Sequence, residues 1–152
     1  MRCLAFFQNL WVRDPARVNA LIDSHGELFR RRLIRDLILG SFTGRRLALT
    51  LGDALIAQID FEEASREIAG NSRVVCRPND AHILSAIKFY QPSVVVAFGG
   101  VAKVAVARLW TGKLLVAPHP AARGVYTLPR LRELAEELAS ELSTAGNGDL
   151  RP

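Results

Sequence analysis

Short apolar runs alternate along this chain with longer stretches whose apolar residues repeat at helical spacing. Residues 3–8, "CLAFFQ", are apolar and aromatic on both faces, as a buried strand is. "RDPARVNALID" follows, with Asp14 placed to cap a helix and Pro15 at its first position. In "ELFRRRLIRDLIL", Leu33 and Leu37 and then Ile34 and Ile38 recur at helical spacing, and Gly40 marks a stop. The next stretch fits two periods, since Leu47, Leu49 and Leu51 alternate while Leu47, Leu51 and Leu55 follow a helix. We read a helix over 44–54 and a short strand over 56–61.

Residues 73–76, "RVVC", have the character of a further short strand, and "RPND" turns the chain. Asp80 is placed to cap "AHILSAIKFY", where Ile83, Ile87 and Tyr90 share a face and Pro92 follows. Residues 93–98, "SVVVAF", form a continuous β-branched run of the kind buried in parallel sheets. Gly99 and Gly100 turn into the helical "VAKVAVARLW", and "KLLVAP" supplies another buried strand over 114–117. "LPRLRELAEELASEL" is amphipathic, with Pro129 near its start. From Ser143 the residues are small and polar, so 143–152 read as a disordered tail and 1–142 as one α/β domain.

Strands alternating with helices predict a three-layer α/β/α sandwich with a mainly parallel sheet of about four strands. Residues 93–98 and 114–117 are expected at its centre, with both faces covered. Such sheets bind ligands outside the carboxyl ends of their strands. The expected ends are Gln8-Asn9, Asp60-Phe61, Gly99-Gly100 and His119-Pro120, so polar residues and glycines gather on one rim.

Composition narrows the function. Of 152 residues, 49% are hydrophobic and 23% charged, a globular balance and not that of a disordered chain. The net charge of +5 suits a polyanionic partner such as DNA. Two cysteines, Cys3 and Cys76, are too few for a disulfide framework or a four-thiolate site. A strand-like start and the lack of a membrane-length apolar run make the reducing cytoplasm the expected setting, with no membrane partner. His25 and His82 stand isolated on or beside helical segments and are expected on the surface; no metal-ligand spacing is present.

The segment "RVVCRPNDAHILSAIKFYQPSVVVAFGGVAKVA", followed by "LLVAPHPAARG", resembles the uracil-DNA glycosylase superfamily. That family carries a "P-x-V-V-V-x-G-x-x-A" strand-and-helix unit and a last strand ending in His-Pro. The form "HPAAR" is similar to a bacterial and thermophilic branch that usually holds an iron–sulfur cluster. "SFTGRRL" is similar to the branch's "PF-x-G-x-x-G" segment, and Asn9 falls on the asparagine of the family's "G-x-N-P-G" loop. Phe7, Leu10 and Trp11 stand in place of that loop's glycines and proline, and two of the branch's four cluster cysteines are missing. No cluster and no other cofactor is therefore expected.

The resemblance implies hydrolysis of the N-glycosidic bond of uracil or another damaged base, flipped out of uracil-containing or single-stranded DNA. It makes His119 the donor to the departing base, and Asn9 with Gln8 the holders of water or base. Phe42 would stack on the base, and Asp60 or Glu62 occupies the family's base-reading position. Arg123 and the Gly99-Gly100 turn would meet the DNA backbone.

Each residue also has an ordinary explanation. His119 can close a turn, Gln8-Asn9 can end a strand, Phe42 can be a core aromatic, and Asp60 and Glu62 can lie on a surface turn. Asp14 is explained by helix capping, and "FRRRLIR" by a solvated helix face. Two other functions stay open: a nucleic-acid-binding protein of the same fold without catalysis, and a small-molecule nucleotide binder using Gly99-Gly100. The second lacks the spacing of a dinucleotide fingerprint and its acidic ribose contact.

Overall fold

In a computed structural model that describes residues 2–146, the alternation of strands and helices becomes a four-stranded, all-parallel sheet between two helical layers. In chain order the elements are β1 (Cys3–Phe7), α1 (Pro15–His25), α2 (Glu27–Leu39), α3 (Phe42–Leu51), α4 (Asp53–Ile56), β2 (Ile59–Glu63), α5 (Asp80–Tyr90), β3 (Val94–Phe98), α6 (Gly100–Leu109), β4 (Lys113–Ala117) and α7 (Thr127–Gly146). The strand order is β2-β1-β3-β4. The α/β/α architecture is thus the expected one.

The period of two in the strands sorts side chains between two cores. Cys3, Ala5, Phe7, Val94, Val96 and Phe98 face one side, where α2, α3 and α7 bring Ile34, Ile38, Leu47, Leu131, Leu134 and Leu138. Leu4, Phe6, Val95 and Ala97 face the other, against Ile83 and Ala86 of α5 and Ala102 and Val106 of α6. Every residue of β1 and β3 is buried, so these two are the central strands.

Several details depart from the sequence reading. β4 is an edge strand, not a central one: it pairs only with β3, although α6 half-covers Leu114 and Val116 and so keeps them apolar. The helix expected over 44–54 breaks at Gly52, whose φ of +80° suits only glycine, and one further turn delays β2 to Ile59–Glu63. Residues 73–76 form no strand; Val74 and Val75 are exposed, and β-propensity without a pairing edge does not make a strand. Asn79, not Asp80, caps α5, its Oδ1 accepting from the His82 N–H at 2.9 Å. Finally, α7 continues through 143–146, against the expectation of disorder there, and 147–152 lie outside the described residues.

The junction between α2 and α3 stands over the carboxyl ends of the strands. Ser41 caps α3, accepting from Gly44 N–H at 3.4 Å and donating to Ile38 O at 2.6 Å. A Cβ on Gly44 would collide with the carbonyls of Ile38 and Leu39, so only glycine allows the two helices to meet this closely. Gly44→Ala should therefore cost roughly 1–3 kcal/mol through backbone displacement. A thermal melt checks this: the expected result is a midpoint several degrees lower.

Candidate functional site

All four strands run the same way, so their carboxyl ends share one rim, and a cleft of about 830 Å³ opens there. Gln8 and Asn9 beyond β1, Glu63 at the end of β2, Gly99 beyond β3 and His119 beyond β4 all line it. α2 and α3 close one side with Asp36 and Phe42.

His119 is half-buried, and burial pushes its imidazole below the usual histidine value, so the neutral form prevails at neutral pH. Its Nδ1 accepts from the Ala121 N–H at 3.1 Å, which puts the ring proton on Nε2. Nε2 has no hydrogen-bond partner among the described residues. Phe7 meets the ring edge-on with centroids 5.5 Å apart, and Arg46 donates to the carbonyls of Pro120 and Ala122, both at 3.2 Å. The histidine is thus fixed by a strand end, an aromatic wall and a guanidinium clamp on its loop.

Phe42, the first residue of α3, is not a core aromatic: 48% of it is exposed, on the cleft wall. The guanidinium of Arg46 lies 4.8 Å from its ring centroid and that of Arg45 5.8 Å. Gly99 adopts φ +86°, and its N–H donates to Ala117 O at 2.9 Å, so this amide is used in joining β3 to β4.

Asn9 lines the cleft but is occupied. Its Oδ1 accepts from Cys76 N–H at 2.9 Å and from Gln8 Nε2 at 3.0 Å, and its Nδ2 donates to Val74 O and Leu10 O, both at 3.3 Å. Those bonds use the whole capacity of an amide, making Asn9 a staple between the end of β1 and the 74–76 loop. Gln8 makes no other side-chain hydrogen bond among the described residues.

Other expected site residues lie elsewhere. Asp60 stands near the start of β2, opposite Leu4, and pairs with Arg2 at 3.6 Å, away from the carboxyl rim. Gly100 belongs to a separate hollow of about 540 Å³ with Arg77, Asp80 and Arg108, where Arg108 and Asp80 pair at 2.8 Å. Arg123 is exposed in the loop after His119 and has no ion pair among the described residues. Asp14 accepts from Arg17 N–H at 3.1 Å as a helix cap. His25 is exposed, as expected, whereas His82 is buried.

His82 is buried because it belongs to a polar cluster with Glu62 and with Arg30 of the basic run on α2. Glu62, fully buried, holds Arg30 at 3.1 Å and His82 at 3.2 Å. Burial pushes the Glu62 carboxyl up, but the His82 hydrogen bond and the charges of Arg30 and His82 outweigh it and hold it below the usual carboxylate range. The run "FRRRLIR" is therefore only in part a solvated face: Arg32 is exposed, but Arg30 is buried in that cluster, Arg31 stacks 3.6 Å from the centroid of Phe89, and Arg35 donates to Ile59 O at 2.6 Å.

Sequence reasoning missed two cleft residues. Glu63 is only 3% exposed, and its Oε2 has no hydrogen-bond partner among the described residues. Burial and the neighbouring Glu62 charge, against the pull of Arg30, push its pKa up to about 8. Asp36 lines the cleft from the last turn of α2, where the helix dipole disfavours an acid. That placement was a usable signal; Glu63 became visible only once the end of β2 was known. Among the described residues no three His, Cys, Asp or Glu side chains gather to hold a metal ion. No helix among them is long and apolar enough to cross a membrane.

No family model and no curated protein matches the chain.

The two adjacent carboxyls predict opposite pH effects on stability. An unfolded glutamate loses its proton near 4.5, while native Glu63 keeps it to about 8, so its contribution falls as pH rises through that window. Glu62 has a lowered native value, so its contribution is present above the ordinary carboxylate range and is lost on acidification. Thermal midpoints measured against pH should show Glu63→Gln flattening the decline above 4.5 while the acid limb remains. An equally steep decline in that variant would assign the slope to other groups.

Proposed function

We propose that this protein binds a nucleobase flipped out of DNA and hydrolyses its N-glycosidic bond, as a member of a glycosylase-like class would. One observation carries the reading: neutral His119, with its Nε2–H unpartnered among the described residues, and the exposed ring of Phe42 line the same rim cleft. A base stacks on the face of Phe42, an interaction that tolerates any base. As the C1′–N bond breaks, its electron pair moves to the base and positive charge develops on the sugar. The His119 Nε2–H stabilises the base oxygen that gains charge; one such donor typically contributes about 3 kcal/mol. Water adds its oxygen to C1′, and its proton ends on the departing base.

Asn9 is a poor holder for that water because its amide is already engaged. Asp36, which makes no ion pair among the described residues, is the better candidate for orienting the water and stabilising the sugar cation. Arg123 meets a phosphate as the duplex approaches the loop after His119.

The occupied Asn9 also favours a second reading, a protein that holds the flipped base without cleaving it. Uracil-containing single- and double-stranded oligonucleotides, incubated with the protein and then treated with alkali, separate the two. Cleavage is expected, with His119→Ala lowering the rate about a hundredfold and hardly changing DNA binding. Asp36→Asn should also slow cleavage. Arg123→Ala should instead weaken binding and make its salt dependence shallower. Intact strands that still bind would favour the non-catalytic reading. Stabilisation by free nucleotide with no DNA binding would point instead to a nucleotide binder.

A further inference from the structure

We propose that the Glu63 carboxyl reads the ligand in this cleft, taking an uncharged nucleobase edge that sets a hydrogen-bond donor beside an acceptor, so that one proton gates binding. This inference rests on the cleft being a nucleobase site. The position is the starting point. Glu63 ends β2, His119 follows β4, and β1 and β3 lie between them, so three strand steps of about 4.8 Å set the two ends about 14 Å apart. That span is of the order of one base ring with a hydrogen-bonding side chain on either side of it. Glu63 is almost wholly buried, lines the cleft, and has an oxygen with no partner among the described residues. A buried polar atom left unpaired is costly, and a ligand edge that reaches this enclosed oxygen as the neighbouring side chains give way would relieve that cost. On its other side Glu63 shares a hollow of about 10 Å³ with Arg30, Arg66 and Glu67, room for one water at most and none for a base.

The chemistry of the acid defines the ligand. A protonated carboxyl offers one O–H donor and one carbonyl acceptor side by side. It therefore matches an edge with N–H beside C=O, as in uracil or hypoxanthine. By exchanging roles it equally matches an edge with a ring nitrogen beside NH₂, as in cytosine. Ionised, it only accepts, and both edges lose a hydrogen bond.

The groups around Glu63 keep it protonated. Glu62 on the same strand is the ionised neighbour, and Arg30 of α2 and His82 of α5 are already engaged with that carboxylate. Asp36 of α2 and His119 line the same cleft. On the 64–79 loop, Arg66 is paired with Glu27 at 3.2 Å, Glu67 adds negative charge, and the Cys76 thiol is itself raised by burial and by Glu67 and Glu63. β1 brings only the uncharged Phe7 and Gln8.

The test measures binding of single-stranded oligonucleotides carrying one uracil or one cytosine on a 2′-fluorinated sugar, which resists cleavage of the glycosidic bond, against an abasic control, by wild type, Glu63→Gln and Glu63→Leu. Wild-type preference for the base over the abasic control should fall about fourfold between pH 7 and pH 8.5, as one group titrating near 8 requires. Glu63→Gln presents a donor and an acceptor that do not titrate, so its preference should stay flat over that range. It also controls for ionisation of the bases themselves. Glu63→Leu should lose at least tenfold in preference at pH 7 and, having nothing to titrate, stay at that low level at pH 8.5. A wild-type preference that is flat with pH, or equal in Glu63→Leu, would overturn the role of Glu63 and leave the nucleobase site standing. No preference for a base in wild type at any pH would overturn both. If Glu63→Leu does not fold, the comparison with Glu63→Gln still decides.

Discussion

Four parallel strands must all release the chain at the same edge of the sheet, and the rest of this molecule depends on that constraint. Each crossover returns to the opposite edge through a helix, so the loops with freedom to carry chemistry collect on one rim. His119, Gly99, Asn9 and Glu63 are far apart in sequence and lie side by side because each sits at a strand end. The central strands β1 and β3 are apolar on both faces and hold that rim rigid. The contacts that complete the site are mostly clamps on loops: Arg46 on the carbonyls after His119, and Asn9 on the 74–76 loop.

Two adjacent glutamates at the end of β2 end in opposite protonation states because the strand turns them to opposite faces. Glu62 meets Arg30 and His82 and stays ionised, whereas Glu63 meets no cation directly and feels the charge of Glu62 beside it. Removing one partner of such a buried pair typically costs about 3–5 kcal/mol, since it strands the other charge. The cluster thus has a local consequence beyond stability: as long as Glu62 is charged, the neutral form of Glu63 is favoured.

Much of the architecture was legible in the sequence because it depends on period and punctuation. The β-branched run of β3, the Gly99 turn and the His-Pro strand end each sit where the pattern put them. Edge and centre were not legible, because Leu114 and Val116 are covered by a helix and so look as apolar as a central strand's residues. The start of β2 was misplaced by the turn of α4 after Gly52, and that shift hid Glu63 by moving the expected strand end to Asp60-Phe61. Pairing partners also escaped the sequence: nothing in "FRRRLIR" marks Arg30 as buried, because its partners Glu62 and His82 lie on other elements.

The net charge of +5 looks different once the partners of individual arginines are known. Arg30, Arg35 and Arg46 are occupied by a carboxylate or by main-chain carbonyls, Arg108 by Asp80, and Arg130 by Glu137 and Val116 O. A cation already holding a partner gives little to an approaching phosphate, since the gain must offset the bond it gives up. What a polyanion meets at the rim is therefore set by position more than by the total. Arg123 stands out there: it is exposed, without an ion pair among the described residues, and one turn of chain beyond the histidine. The loop beyond β4 thus presents a cation, while within the cleft His119 and Glu63 are held neutral by burial and Asp36 supplies the acid.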